Sequence, residues 1–444
     1  MGKLCHICGT VFLGMICCVL LCAIHVSRVD KKDEKTEMYN DNQGEFISPT
    51  PGEISIIASS PCLNAEKPSM QAFLGVKECG FNAAFFNASQ NSIDSALTLL
   101  KNIDLKLILC NEALQTDECI KFVNKYKDNP IVGGWSLIDE PRFNQLDNLQ
   151  KYYKKIAKAD SMHIIHMNLV GSNIPVFTGN LPDYNSYLKY IQDIFSPVLW
   201  SYDMYPLSVY KGRIKVSYDL FYSDLQKYAD MSKNTGRPFW AYCQSMAFRN
   251  SVVERPVAKE SYLRFEAFSA LAYGAQGIVY WTYSLRKSTP SEEYISALVD
   301  LKGNRSKEWY TAQRVNREIK LFSPIFTNCR MVDCRHTGIA KYRDTREVKS
   351  SFGPLKRIVS EKAGVMISHI RNGIHDYLVI INHDIENSQK VNVWPISGYE
   401  INVLNVNMTS QNMKISRETI IEPYVFTLNP GGYKIFEWRK VKDM

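Results

Sequence analysis

The sequence contains no run of five or six like charges. Its formal net charge of +8 is spread over interleaved acids and bases, so it lacks a basic arm that would grip nucleic acid and reads as a mildly basic, solvated surface. It also lacks an internal repeat of solenoid length and any long low-complexity tract, which sets aside stacked-repeat architectures. With 45% hydrophobic and 12% aromatic residues, the chain is too apolar to stay disordered. Metal-ligand spacing is missing as well. Cys5 and Cys8 form a CxxC with no second pair nearby, and His163 and His166 stand three apart without a third ligand, so neither metal nor organic cofactor is expected.

What is present begins with Lys3 and an apolar run from Val11 to Val26, followed by the polar "SRVDKKDEKTEMYNDNQGE". A basic start and a short apolar core form a signal-peptide pattern, so residues 1–29 read as a leader and the chain as exported, periplasmic or at the cell surface. Cys17, Cys18 and Cys22 lie in or at the end of the apolar run. A lipid anchor to a membrane is left open, because Ile16 and Leu21 replace the small residue that precedes a lipid-bearing cysteine. Residues 30–51 are polar, end in "SPTPG" and read as a flexible linker,. Beyond them Cys62, Cys79, Cys110, Cys119, Cys243, Cys329 and Cys334 read mostly as buried thiols, with Cys110–Cys119 or Cys329–Cys334 as conceivable bridges in an oxidising compartment,. Asn87, Asn304 and Asn407 each sit in an N-x-S/T pattern, which carries no information for a chain expected to be a bacterial exported protein.

From residue 52 to 328 the pattern is regular. Eight strand-like runs begin at Glu53, Phe81, Leu105, Ile131, His163, Pro197, Arg237 and Gly277, separated by stretches with apolar residues at helical spacing,. Continuous apolar strands alternating with helices mean a parallel sheet covered on its faces, and eight such units fit a closed (β/α)8 barrel. An open nucleotide-binding sheet would place a glycine-rich loop after the first strand, and "SSPCLNAEKPS" has no glycine,. After a last barrel helix near 306–327, residues 329–444 turn to short strands with Asn, Gly and Pro breaks, a β-sandwich,.

In such a barrel the chemistry sits where the strands end. Those ends bring Asn87 from the second run, Glu112 from the third, Asp139 and Glu140 from the fourth, and Asn168 from the fifth. The sixth brings Tyr202, Asp203 and Tyr205, the seventh Tyr242 and Gln244, the eighth Trp281. Such an acidic, amide-bearing and aromatic rim suits sugars, whose C–H faces stack on rings and whose glycosidic oxygen needs a protonated carboxyl. "GGWSLIDEPR" thus reads as a buried strand that surfaces into a site. Alternation puts Asp139 and Glu140 on opposite faces, so they need not share a role.

"GWSLIDEP", "SYDMYP", "RFEAFSALAYGAQGIVYWTY" and "LNPGGYKIFEW" together resemble the barrel glycoside hydrolases of the clan containing the β-galactosidases, especially exported, often lipid-anchored members with a C-terminal β-sandwich. The resemblance spans most of the chain from Glu53 onward and implies a glycosidase acting on an oligo- or polysaccharide, with Glu140 as general acid/base. The clan's nucleophile is a glutamate at the end of the seventh strand, where this sequence has Gln244, an amide that does not attack an anomeric carbon. Asp203, or less readily Glu112, is left as a second carboxylate. Alternatively the Asp139–Glu140 pair, "YD" on the sixth strand and Trp281 look like the equipment of substrate-assisted hexosaminidases and family 18 chitinases. A non-catalytic carbohydrate-binding protein on the same fold is the alternative from another class.

Plainer roles stand beside these. Glu140 before Pro141 could open a helix, Asp203 could be a hydrogen-bonded structural acid, and Arg264 with Glu266 reads as a structural pair. Trp135 reads as core, and Trp281 as a sugar platform.

Overall fold

The computed structural model describes residues 46–174, 179–338, 342–361, 363–405, 408–413 and 422–441. The leader at 1–29, the linker up to 45 and the Asn407 sequon lie outside them. Residues 46–51, the end of the expected linker, lie against the barrel. Ile47 packs on its interior cluster, and the Phe46 N–H donates to Asn328 Oδ1 at 3.1 Å.

Eight parallel strands close the barrel: β1 Ser55–Ala58, β2 Ala83–Asn87, β3 Lys106–Cys110, β4 Val132–Asp139, β5 Ile164–Val170, β6 Trp200–Asp203, β7 Phe239–Gln244 and β8 Gly277–Trp281. They pair in the cyclic order β1-β8-β7-β6-β5-β4-β3-β2, which bears out the expected (β/α)8 fold. Helices α1 Met70–Glu78, α2 Gln90–Leu99, α3 Cys119–Tyr126, α4 Leu146–Ala159, α5 Tyr184–Phe195, α6 Tyr218–Thr235, α7 Glu260–Ala272 and α8 Lys307–Phe326 follow the strands in turn. Alternation sorts each strand. On β7, Phe239, Ala241 and Cys243 join the layer under the helices, while Trp240 and Tyr242 join the interior with Ile57, Phe85, Ile108, Ile164 and Val279,. Extra hairpins rise from the strand ends, at Leu207–Tyr210 with Arg213–Val216 and at Ala247–Asn250 with Glu254–Arg255.

The C-terminal region folds as β9 Arg330–His336, β10 Leu355–Ser360, β11 Val365–Asn372, β12 His375–Asn382, β13 Gln389–Pro395, β14 Tyr399–Leu404, β15 Ser410–Asn412, β16 Tyr424–Leu428 and β17 Tyr433–Lys440. Two antiparallel sheets, β9-β11-β12-β17-β14-β15 and β10-β13-β16, enclose a core that includes Ile367, Leu378, Val391 and Phe436. This sandwich docks on the barrel's α7 and α8 side. Tyr433 stacks on Phe268 with centroids 3.8 Å apart, and the Asn372 side-chain amide donates to the carbonyls of Pro324, Ile325 and Thr327 at the end of α8. Those carbonyls are among the groups a helix C-terminus leaves unpaired. All seven cysteines among the described residues are free thiols, so neither conceivable bridge forms.

Candidate active site

A β-bulge between Ser136 and Ile138 shifts the register of β4 against β5, so that Asp139 pairs with Asn168. A bulge inserts one residue and re-aims the side chains beyond it. Here Ser136 and Asp139 reach the same side, the barrel axis, despite their odd spacing. Glu140 then takes φ 47°, in the left-handed region that few glutamates adopt, and its N–H donates to Asn168 O at 3.0 Å,. The turn brings its carboxyl beside Asp203, the last residue of β6, close enough that each acid shifts the proton affinity of the other.

Three carboxyls therefore meet at the ends of β4 and β6. Burial raises Asp203 well above the ordinary carboxylate range, and the charges of Glu140 and Asp139 add to the rise. Burial and the charge of Asp139 raise Glu140, and burial raises Asp139, opposed by Asn168 and by the Arg286 guanidinium. Two carboxyls in contact share protons as a pair, so the cluster retains a proton at pH values where an isolated acid has lost it.

Asn168 links the acids. Its amide nitrogen donates to Asp139 Oδ1 and to Asp203 Oδ1, both at 3.0 Å, and the residue is 1% exposed. Expected as a sugar contact, it has both amide hydrogens engaged within the protein. Tyr202 does not reach the site either. Its neighbours Ser201 and Asp203 point inward, so its own ring points out and stacks on Tyr228 with centroids 3.9 Å apart,. Gln244 ends β7 but is 3% exposed, its amide donating to Pro256 O at 3.2 Å. The Arg264–Glu266 pair does not form. Arg264 binds Glu260 and Glu318 instead, while Glu266 accepts from the Gln244 N–H at 3.0 Å beneath the end of β7.

Aromatic rings wall the other side. Trp281, half-buried at the end of β8, lies 5.7 Å from Tyr205 and 5.5 Å from Phe248, and Tyr242 projects from β7 into the interior cluster. Asn87 is exposed at the end of β2, and Glu112 is exposed where a one-turn 3-10 helix, Glu112–Gln115, begins. Sequence reasoning missed Arg286, whose guanidinium sits 5.7 Å from the Trp281 ring centre, and Arg255, which holds the Tyr205 and Leu207 carbonyls at 2.7 and 2.6 Å. Neither lies on a barrel strand, so strand periodicity gave no signal for them.

A sequence model of glycoside hydrolase family 42, described as beta-galactosidase, matches residues 142–322, beginning just past Glu140. Gan42B, a GH42 beta-galactosidase, superposes with a TM-score of 0.61 at 8% identity over 89% of this chain and 99% of its own. A catalytic mutant of that enzyme from G. stearothermophilus gives 0.60 at 9% identity over the same shares. The beta-galactosidase from Bacillus circulans sp. alkalophilus gives 0.60 at 8% identity, covering 87% of this chain and 99% of its own. No curated protein matches the chain in sequence. The resemblance to clan A barrel glycosidases is thus borne out, by sequence over part of the barrel and by fold over most of the chain.

Proposed function

We propose that the chain, which matches glycoside hydrolase family 42 over residues 142–322, is a barrel glycoside hydrolase in which Glu140 is the general acid that protonates the leaving glycosidic oxygen of an oligo- or polysaccharide. One observation carries the assignment. Glu140 is the carboxyl that the bulge and left-handed turn of β4 present beside a second acid, with its proton affinity raised by burial and by Asp139. A carboxyl whose proton affinity is raised keeps its proton to higher pH than a free acid and can give it as the C–O bond breaks. The ionised members of the cluster stabilise the positive charge that develops on the sugar ring. Trp281 and Tyr205 offer the apolar face a pyranose stacks on.

The attacking group is a separate matter. Asp203 interacts with Glu140 itself, so it does not stand across the site from Glu140 as the second carboxylate of a retaining or an inverting pair does. Gln244 is an amide turned toward Pro256. That combination favours an attacking oxygen supplied by the substrate, a 2-acetamido group oriented by Asp139 or Asp203. The buried Gln244 also favours the rival, a carbohydrate-binding protein without catalysis, against which the three acids weigh.

The test is hydrolysis of a panel of aryl glycosides and natural oligosaccharides, N-acetylhexosaminides included. Glu140→Gln is expected to lose about 10²- to 10⁴-fold in kcat on poor leaving groups. Full activity in that variant removes Glu140 from the role, and glycan binding without turnover in the parent supports the binding protein. Export is proposed from the leader pattern of residues 1–29 alone,. Recovery of the chain in the cytosolic fraction would refute it.

A further inference from the structure

The acids at the mouth are not held by their own strands alone. Beneath them a file of polar side chains descends into the barrel: Asn168 Oδ1 lies 3.1 Å from Ser201 Oγ, Ser201 Oγ 3.1 Å from His166 Nε2, and His166 Nδ1 3.0 Å from Ser136 Oγ. Asn168, Ser201 and His166 are each 2% exposed or less. The His166 ring lies between Phe85 at 4.5 Å and Trp240 at 5.8 Å, centroid to centroid.

Donor and acceptor arithmetic fixes the direction of every link. Asp139 accepts, and Asp203, whose proton is shared toward Glu140, presents its other oxygen as an acceptor, so the group of Asn168 facing them is its NH2. Its carbonyl then faces Ser201, so the Ser201 hydroxyl donates its one hydrogen upward. The same oxygen, its hydrogen spent, accepts from below, which requires a hydrogen on His166 Nε2. Burial holds His166 down to about 3, so the ring is neutral and has one N–H. Nδ1 is therefore bare and accepts from the Ser136 hydroxyl. Cys110 on β3 interacts with Ser136, and among the described residues hydrogen-bonded along the file the charged ones are the acids at its top.

We propose that Asn168 is the positioning residue of the carboxylate cluster, its amide locked with nitrogen toward Asp139 and Asp203 by a one-directional relay through Ser201 and the Nε2–H tautomer of His166, anchored at Ser136. A reversed amide would set a carbonyl against two carboxylates, and the relay removes that alternative. The proton affinity of Asp139 and Asp203 is thereby held down against burial and mutual repulsion, and Asp203 stays where it meets Glu140. The inference rests on the glycosidase reading of that cluster for its effect on rate, but not for its geometry.

The first test needs no activity. In the mature chain labelled with ¹⁵N-histidine, the His166 signal, identified by its loss in His166→Gln, is expected to show Nε2–H with bare Nδ1, unchanged from pH 5 to 8. An Nδ1–H tautomer, or titration in that range, overturns the relay. The second test is kinetic. Asn168→Leu removes two N–H donors to carboxylates, and because hydrogen bonds to an ionised acid lower its pKa, the whole pH profile of kcat/KM is expected to move upward by about one pH unit. Ser201→Ala, which frees the amide to turn, moves it the same way, while Ser201→Thr, which keeps the hydroxyl, restores the parent profile. A profile lowered in height but unmoved along the pH axis in Asn168→Leu would show a merely structural role. If the parent hydrolyses no glycoside, the glycosidase reading fails while the tautomer result still decides the relay.

Discussion

Glu266 sits beneath the end of β7, 1% exposed, with one oxygen accepting from the Gln244 N–H. Burial pushes its carboxyl from 4.5 up to about 8, against the pull of that N–H and of Arg255. Between those values the folded chain binds a proton the unfolded chain has released, so its contribution to stability falls as pH rises through the window. Each pH unit between the two values is worth about 1.4 kcal/mol, so the loss amounts to a few kcal/mol by pH 8. Glu266→Gln keeps an acceptor for the Gln244 N–H and does not ionise. In urea unfolding at a series of pH values, the variant is expected to match the parent near pH 5 and exceed it by a few kcal/mol near pH 8.5. Parallel curves for the two proteins would show that Glu266 is already ionised in the fold.

Strands carry the same kind of dependence on one another. An alanine at Gly277, in the first position of β8, would place its Cβ 2.5 Å from Trp240 Cδ1, so β7 and β8 pack as they do only because that site has no side chain. Trp240 in turn lies on His166. Gly277→Ala is expected to cost about 1–3 kcal/mol, as overpacking does, read as a lower urea midpoint with unchanged slope. An unaltered midpoint would mean that the indole can move aside. Strand periodicity also decides what the sequence makes legible. Residues two apart on β5 and β6 share a face, so His166 with Asn168 and Ser201 with Asp203 could have been read as two inward pairs, just as Tyr202 could have been read as outward. The eight alternating units and the sandwich were legible because the strand and helix periods that mark them run over many successive segments. The bulge in β4 was not, because it depends on pairing with β5 and leaves no mark in "SLIDEP". It decides that Asp139 and Ser136 share the barrel axis and that Glu140 turns toward Asp203. The fate of Gln244 was equally hidden, since Pro256, which accepts its amide, comes from a hairpin outside the barrel pattern.

Barrel and sandwich meet around a buried aromatic cluster that holds one pair of imidazoles. His336 at the end of β9 and His383 just past β12 are 3% and 1% exposed, with His336 Nδ1 and His383 Nε2 3.2 Å apart. The barrel contributes Tyr273, whose hydroxyl meets His336 Nε2 at 3.0 Å, and Tyr222, whose ring centre lies 4.5 Å from that of His336 and 5.3 Å from that of His383. Burial lowers both histidines, His383 to about 4 and His336 well below its ordinary 6.5, the latter also through the charge His383 would carry. The unfolded chain takes up these protons near pH 6.5 and the folded chain does not, so stability is full above that value and falls as pH drops toward 4. His383 alone accounts for roughly 3 kcal/mol over the window, a large share of the stability of a typical fold. The expected result is a steep fall of the melting temperature from pH 6.5 to 4, with barrel and sandwich lost in one transition. In His383→Asn, which retains an amide donor toward His336, that fall is expected to flatten. An identical fall in variant and parent would locate the acid sensitivity elsewhere, and a sandwich that melts apart from the barrel would show that the cluster does not couple them.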